Sequence, residues 1–180
     1  MRNYALGLSL VLLTGLVVGA IVAAEPAAEE YHVKGAYLLN FAKFVEWPEQ
    51  VFKGPGAPIA ICIVGQNPFG PGLEKAAQAT VVANRPVIVR QLADSQQASQ
   101  CQIAFVSSSE RKLTRTLLQA ADGASVLTVG ESDNFIASGG VIDFKLDGDK
   151  VRIEINTGAA DRAKLRISAK LLSLALAGKK

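Results

Sequence analysis

The stretch Pro58-Ile59-Ala60-Ile61-Cys62-Ile63-Val64-Gly65-Gln66-Asn67-Pro68-Phe69-Gly70-Pro71-Gly72 decides the fold. Residues 59–64 are all apolar, and a Gly- and Pro-rich turn leads from them into a helical pattern over 72–79. A strand wetted on one side alternates polar and apolar residues, whereas one apolar at every position is buried on both sides, as in parallel sheets covered by helices. Runs of the same kind recur at 87–90, 103–106 and 126–129, each bounded by Gly, Pro, Ser or Asp. Helical patterns over 94–99, 111–121 and, shorter, 133–137 separate them, and 80–83 reads as a further short strand. Strand and helix alternating at this rhythm predict an α/β layer structure.

Upstream, residues 31–45 predict a helix, with Val33, Tyr37, Leu38, Phe41, Phe44 and Val45 on one side and Asn40 and Lys43 off that stripe. Pro48 after Trp47 ends it. Residues 25–30 form an acidic, Ala-rich lead-in that is expected to fray. Downstream the period changes to two over 141–145 and 151–155, with Asp147-Gly148-Asp149 between. That pattern predicts an antiparallel hairpin at a sheet edge. A closing helix is expected over 165–177, with Leu165, Ala169, Leu172 and Leu176 on one face. The expected architecture is a single three-layer α/β domain over residues 25–180: a mostly parallel sheet, helices on both faces and a C-terminal antiparallel hairpin.

The ends and the composition set the compartment. Arg2 precedes a stretch without charge from residue 4 to 24, which closes on Val22-Ala23-Ala24, a pattern read as a signal peptide. The run approaches the length of a membrane span, so an uncleaved anchor is the alternative. With Arg2 on one side and Glu25, Glu29 and Glu30 on the other, either reading sends the chain outward. The first cysteine is Cys62, too far along for a lipid anchor. The formal net charge is +3 and the basic residues are scattered, which gives no nucleic-acid footprint. Cys62 and Cys101, the only cysteines, suggest one disulfide in an oxidising compartment, with two buried thiols as the alternative.

The search for chemistry finds little. His32 is the only histidine, so a Ser-His-Asp triad or a multi-histidine metal site lacks parts, and His32 reads as a surface or capping residue. Gly65, Gly70 and Gly72 follow the first strand but match neither nucleotide-binding glycine pattern, and Pro68 and Pro71 remove N–H groups that a phosphate cradle needs. The crevice after that strand is nevertheless where a small ligand would bind, so a ligand sensor is the second functional reading. Ser107 to Ser109 read as helix-capping residues, and no serine sits in a nucleophile elbow. Asp143, Asp147 and Asp149 lack calcium-loop spacing. No catalytic residue, metal site or cofactor is assigned. Six of the aromatics, Tyr31, Tyr37, Phe41, Phe44, Trp47 and Phe52, crowd into the first helix and its exit. They either fill the core or meet a second subunit.

The segment Lys34-Gly35-Ala36-Tyr37-Leu38-Leu39-Asn40-Phe41-Ala42-Lys43-Phe44-Val45-Glu46-Trp47-Pro48 resembles the opening signature of the YfiR family of periplasmic regulators. Asn40, Phe41, Phe44, Trp47 and Pro48 carry the motif. Further matches follow in order: the strand 59–65, Asn84-Arg85-Pro86-Val87, Gly139-Gly140-Val141-Ile142, Glu154-Ile155-Asn156 and Leu171-Leu172-Ser173-Leu174-Ala175. The resemblance implies a periplasmic protein, often dimeric, that represses an inner-membrane diguanylate cyclase by binding its periplasmic domain. It also implies an outer-membrane lipoprotein able to sequester the repressor. Cys62 and Cys101 fall where the family has a disulfide. A second pair found in some relatives is replaced here by Ile136 and Asp143. The partner surface is expected at the end of the hairpin and the turn after it, at Glu154, Asn156, Ala160 and Arg162.

Overall fold

A computed structural model of the chain describes residues 25–176; the leader read over residues 1–24 lies outside them. Helix α1 (Glu25–Phe44) is longer than the apolar pattern predicts, because the acidic lead-in is its first turn and a half. Its buried face runs through Lys34, Leu38, Phe41 and Ala42, while Val33, expected on the stripe, is exposed. A charge thus takes a position where sequence reading places only apolar residues.

Strand β1 (Val45–Glu46) leaves α1 directly, and a 3-10 turn at Glu49–Val51 leads to β2 (Ile59–Val64). Then follow α2 (Gly70–Gln78), β3 (Val81–Val82), β4 (Arg85–Leu92), β5 (Ile103–Val106), α3 (Arg111–Ala121), β6 (Leu127–Gly130), β7 (Ile142–Asp147) and β8 (Lys150–Ile155). The chain closes with α4 (Thr157–Arg162), β9 (Arg166–Ile167) and α5 (Ala169–Leu176). Seven strands form one sheet in the order β3-β4-β2-β5-β6-β7-β8. The pairs β2–β4, β2–β5, β5–β6 and β6–β7 are parallel, and the outer pairs β3–β4 and β7–β8 are antiparallel. This is the mostly parallel sheet with a terminal hairpin that the sequence predicts.

Side chains alternate across the sheet with period two. Ile59, Ile61, Ile63, Ile103, Phe105, Leu127, Val129, Ile142 and Phe144 point to the layer of α1, α2 and α5. Val64, Ala104 and Val106 point to the opposite layer of α3 and the 3-10 segment Ser95–Gln100. Asp94 begins that segment by accepting a hydrogen bond from the Gln96 N–H at 2.9 Å, so residues 94–99 are a capped 3-10 turn.

Two other expectations are corrected. Residues 133–137 form turns and no helix: Phe135 is buried and its ring lies on Gly130 and Gly140, where an added Cβ would come within 2.4 and 2.1 Å of it. The closing helix is shorter than predicted, since Leu165 is buried ahead of β9, and β9 pairs antiparallel with β1 through Val45↔Ile167 and Glu46↔Arg166. That two-stranded sheet ties the exit of α1 to the entry of α5.

Candidate functional site

The crevice beyond the C-terminal ends of β2, β5 and β6 is filled by the protein's own side chains. Lys34, 3% exposed, pairs with Glu30 and Glu131. Glu131 also accepts from the Tyr31 hydroxyl and the Ser108 N–H, each at 2.9 Å. Burial first, and then the Glu131 charge and hydrogen bond, push the Tyr31 pKa upward, so its hydroxyl stays a donor. Phe69 packs edge-on to Phe105 and Tyr31 at 4.9 and 5.6 Å between ring centres. Gly65, at φ +81, has no room for a side chain because Glu110 lies over it. The Gly65–Gly72 loop is therefore part of a plug.

Open space lies on the opposite layer. A cavity of about 530 Å³ sits between α3, the turn after β6 and α4, lined among others by Thr114, Leu118, Phe135, Ser138, Ala159 and Arg162. Thr128 reaches into it from β6 while accepting the Val141 N–H at 3.0 Å. The Thr114 hydroxyl is buried without a hydrogen-bond partner among the described residues. Arg115 and Arg162 are exposed beside this space and place positive charge at its border.

The four residues expected to form a partner surface have different surroundings. Asn156 is the N-cap of α4: its Oδ1 accepts from the Ala159 N–H at 3.0 Å, and its Nδ2 donates to the Ile136 carbonyl at 3.3 Å. Ala160 is 2% exposed and packed into the core beside Ala159, so its side chain is not part of the surface. A six-residue helix with two alanines turned inward explains this: the small side chains let it sit close on the sheet. Glu154 is half-buried on β8, and Arg162 is exposed on α4. Only these two present charge outward.

Sequence reading missed Asp143. It is 0% exposed, stands directly across from Glu154 in the β7–β8 ladder, and meets Lys145 Nζ at 2.6 Å. No other donor among the described residues reaches its carboxylate. Burial, followed by the charges of Glu154 and Asp133, raises its pKa against the opposing pull of Lys145. Side chains alternate along β7, so Asp143 faces away from α1 while Ile142 and Phe144 face it.

Cys62, in the middle of β2, is bonded to Cys101 just before β5, with Cα atoms 6.1 Å apart. In the signature segment, Phe41 is buried against Phe144 and Tyr37, Phe44 and Trp47 are half-buried, and Asn40 is exposed. The Trp47 indole donates to the Gln102 carbonyl at 3.1 Å, and Pro48 starts the 3-10 turn that follows.

Among the described residues, no helix is long and apolar enough to cross a membrane, and no group of three or more His, Cys, Asp or Glu is placed to hold a metal ion. No curated protein matches the chain. A solved structure of a conserved domain protein from Vibrio cholerae O1 biovar El Tor str. N16961 aligns at a TM-score of 0.49 and 13% identity. The alignment covers 65% of this chain and 53% of that one, so the chain spans about half the length of that protein. The family model described as YfiR/HmsC-like matches residues 31–176, from the second turn of α1 to the end of α5. The chain belongs to this YfiR/HmsC-like family, which is one of periplasmic regulators of diguanylate cyclase signalling rather than of enzymes.

Proposed function

We propose that this protein is exported through its leader, residues 1–24, and that residues 25–180 work as one regulatory binding domain in the periplasm. It represses an inner-membrane diguanylate cyclase by contacting the cyclase's periplasmic domain, which lowers cyclic di-GMP. It acts as a homodimer, and an outer-membrane lipoprotein relieves repression by competing for the same surface. The observation that carries this reading is the family match, which spans nearly all of the described chain. The supporting geometry is the exposed Arg162 at the end of α4, a short helix that Asn156 caps and Ala160 anchors in the core.

Deleting the gene is expected to raise cyclic di-GMP, and Arg162→Glu is expected to reproduce the deletion while leaving the protein folded. Tagged protein is expected to recover a membrane protein with a cyclase domain. Unchanged cyclic di-GMP after deletion, together with no cyclase recovered, overturns the reading.

A further inference from the structure

Strand β8 is the outermost strand of the seven-stranded sheet. Which of its backbone groups face outward follows from the hairpin. Gly148, at φ +59, and Asp149 make a two-residue turn, so Asp147 and Lys150 form the first hydrogen-bonded pair of the ladder. Hydrogen-bonded pairs then recur at every second position, Lys145 with Arg152 and Asp143 with Glu154. The Asn156 N–H, donating to the Val141 carbonyl at 2.8 Å, is in phase with them. The N–H and C=O groups of Val151, Ile153 and Ile155 therefore point away from β7, and among the described residues no strand pairs with them. Such an edge is a template for another strand.

We propose that the free edge of β8 is a homodimer interface, where a second copy of this chain adds its own β8 antiparallel about a two-fold axis through Ile153. A two-fold axis makes the surface complement itself. Bonds across the axis need outward-facing residues on both sides, so Val151, Ile153 and Ile155 must meet the same three residues of the second copy. Three registers satisfy this with good overlap, and charge separates them. An axis at Arg152 sets that residue against itself, and an axis at Glu154 does the same with the carboxylate; like charges directly opposed are destabilising. An axis at Ile153 sets Arg152 against Glu154 of the second copy, twice, and Val151 against Ile155. In that register the Arg152 and Glu154 positions fall on the non-hydrogen-bonded pairs, where side chains approach most closely.

Arg152 is suited to the exchange, because its ion pair among the described residues is a partly exposed one with Asp147 at 3.4 Å. The other side of the strand offers apolar area. Leu146, directly across the ladder from Val151, is 57% exposed, and Leu174, on the helix that packs against β8, is 48% exposed. They are two of the four large apolar side chains left exposed among the described residues.

This interface deepens the homodimer proposed above and rests on it, so the test separates the two. The full chain, purified from the cell envelope, is compared with Arg152→Glu and Glu154→Arg by sedimentation velocity. The wild type is expected to sediment as a dimer, and each variant to self-associate at least about tenfold more weakly. An equimolar mixture of the two variants is expected to dimerise like the wild type, since each then supplies the charge the other needs. Hydrogen exchange on the wild type is expected to show protection of the Val151, Ile153 and Ile155 amides that grows with protein concentration, and this decides the matter if a variant fails to fold. A wild-type dimer indifferent to both variants, with no concentration-dependent protection at those amides, overturns the interface and leaves the dimer standing. A monomeric wild type overturns both, while cyclic di-GMP levels judge the repressor reading separately.

Discussion

On the α1 side of the central sheet, Phe105 and Phe144 meet Phe41, Tyr37 and Phe69 in a chain of ring contacts between 4.9 and 6.3 Å. On the α3 side the same strands present Ala60, Cys62 and Ala104, a disulfide stands where rings would otherwise pack, and a cavity remains. One face is held by shape, through large rings in mutual contact. The other is held by a covalent tie and by turns over small residues, which leaves space, a buried Thr114 hydroxyl with no hydrogen-bond partner among the described residues, and a buried Asp143 paired with Lys145. The face with the large rings is held by their packing, while the face with small residues carries the bridge and the cavity.

The strongest way to break this contrast is to make a hole in the aromatic side. Phe105→Ala removes a fully buried ring and is expected to lower stability by about 4–5 kcal/mol in urea unfolding. A loss no larger than that from Phe135→Ala on the cavity side would show that the two faces are equally packed. Removing the tie on the other side is expected to do somewhat less. Replacing both Cys62 and Cys101 by alanine opens a covalent loop between residues 39 apart and is expected to cost about 3 kcal/mol. Denaturant melts with and without reductant measure the same quantity in the wild type.

The third test uses pH. Burial and the neighbouring charges of Glu154 and Asp133 hold the Asp143 pKa above its ordinary value, so the folded chain binds this proton more tightly than the unfolded chain. The ionised carboxylate therefore subtracts stability above the raised pKa, and the penalty fades as pH falls towards the ordinary carboxylate range. Asp143→Asn is expected to raise stability at neutral pH, with the difference closing in acid; a variant less stable at neutral pH would place Asp143 among the stabilising groups. The smallest effect on folding is expected from Arg162→Ala, within about 0.5 kcal/mol of the wild type, because the side chain is exposed. Its measure is binding to the cyclase domain, where a large loss at constant melting temperature sharpens the contrast between scaffold and contact face.

Much of the scaffold was legible because its signals are local. The runs at 59–64 and 103–106 and the helix at 111–121 match the observed elements residue for residue, since continuous apolar runs and helical stripes are written within a few residues. What was not legible depends on distant partners. Val45–Glu46 and Arg166–Ile167 are too short for any period, and they become strands only because they meet. The burial of Lys34 has no local signal, because its partner Glu131 lies far along the chain. Phe135 suggested a short helix, but its ring is claimed by two glycines across the turn. The candidate site suffered most: Glu154 and Arg162 were placed at an outward border, whereas Ala160 turned inward because a helix of only six residues gives too little pattern to tell its faces apart. The cavity itself is made by elements separated in sequence, so no window along the chain could contain it.

Trp47 is the only tryptophan in the chain, and its indole holds the carbonyl of the residue that follows Cys101. The protein thus carries a native fluorophore hydrogen-bonded one residue from its own bridge, and breaking the sulfur–sulfur bond is expected to loosen the segment the indole grips and change the polarity the ring senses. Emission from this single residue offers a label-free optical gauge of whether the thiols are joined, readable in dilute solution and in real time.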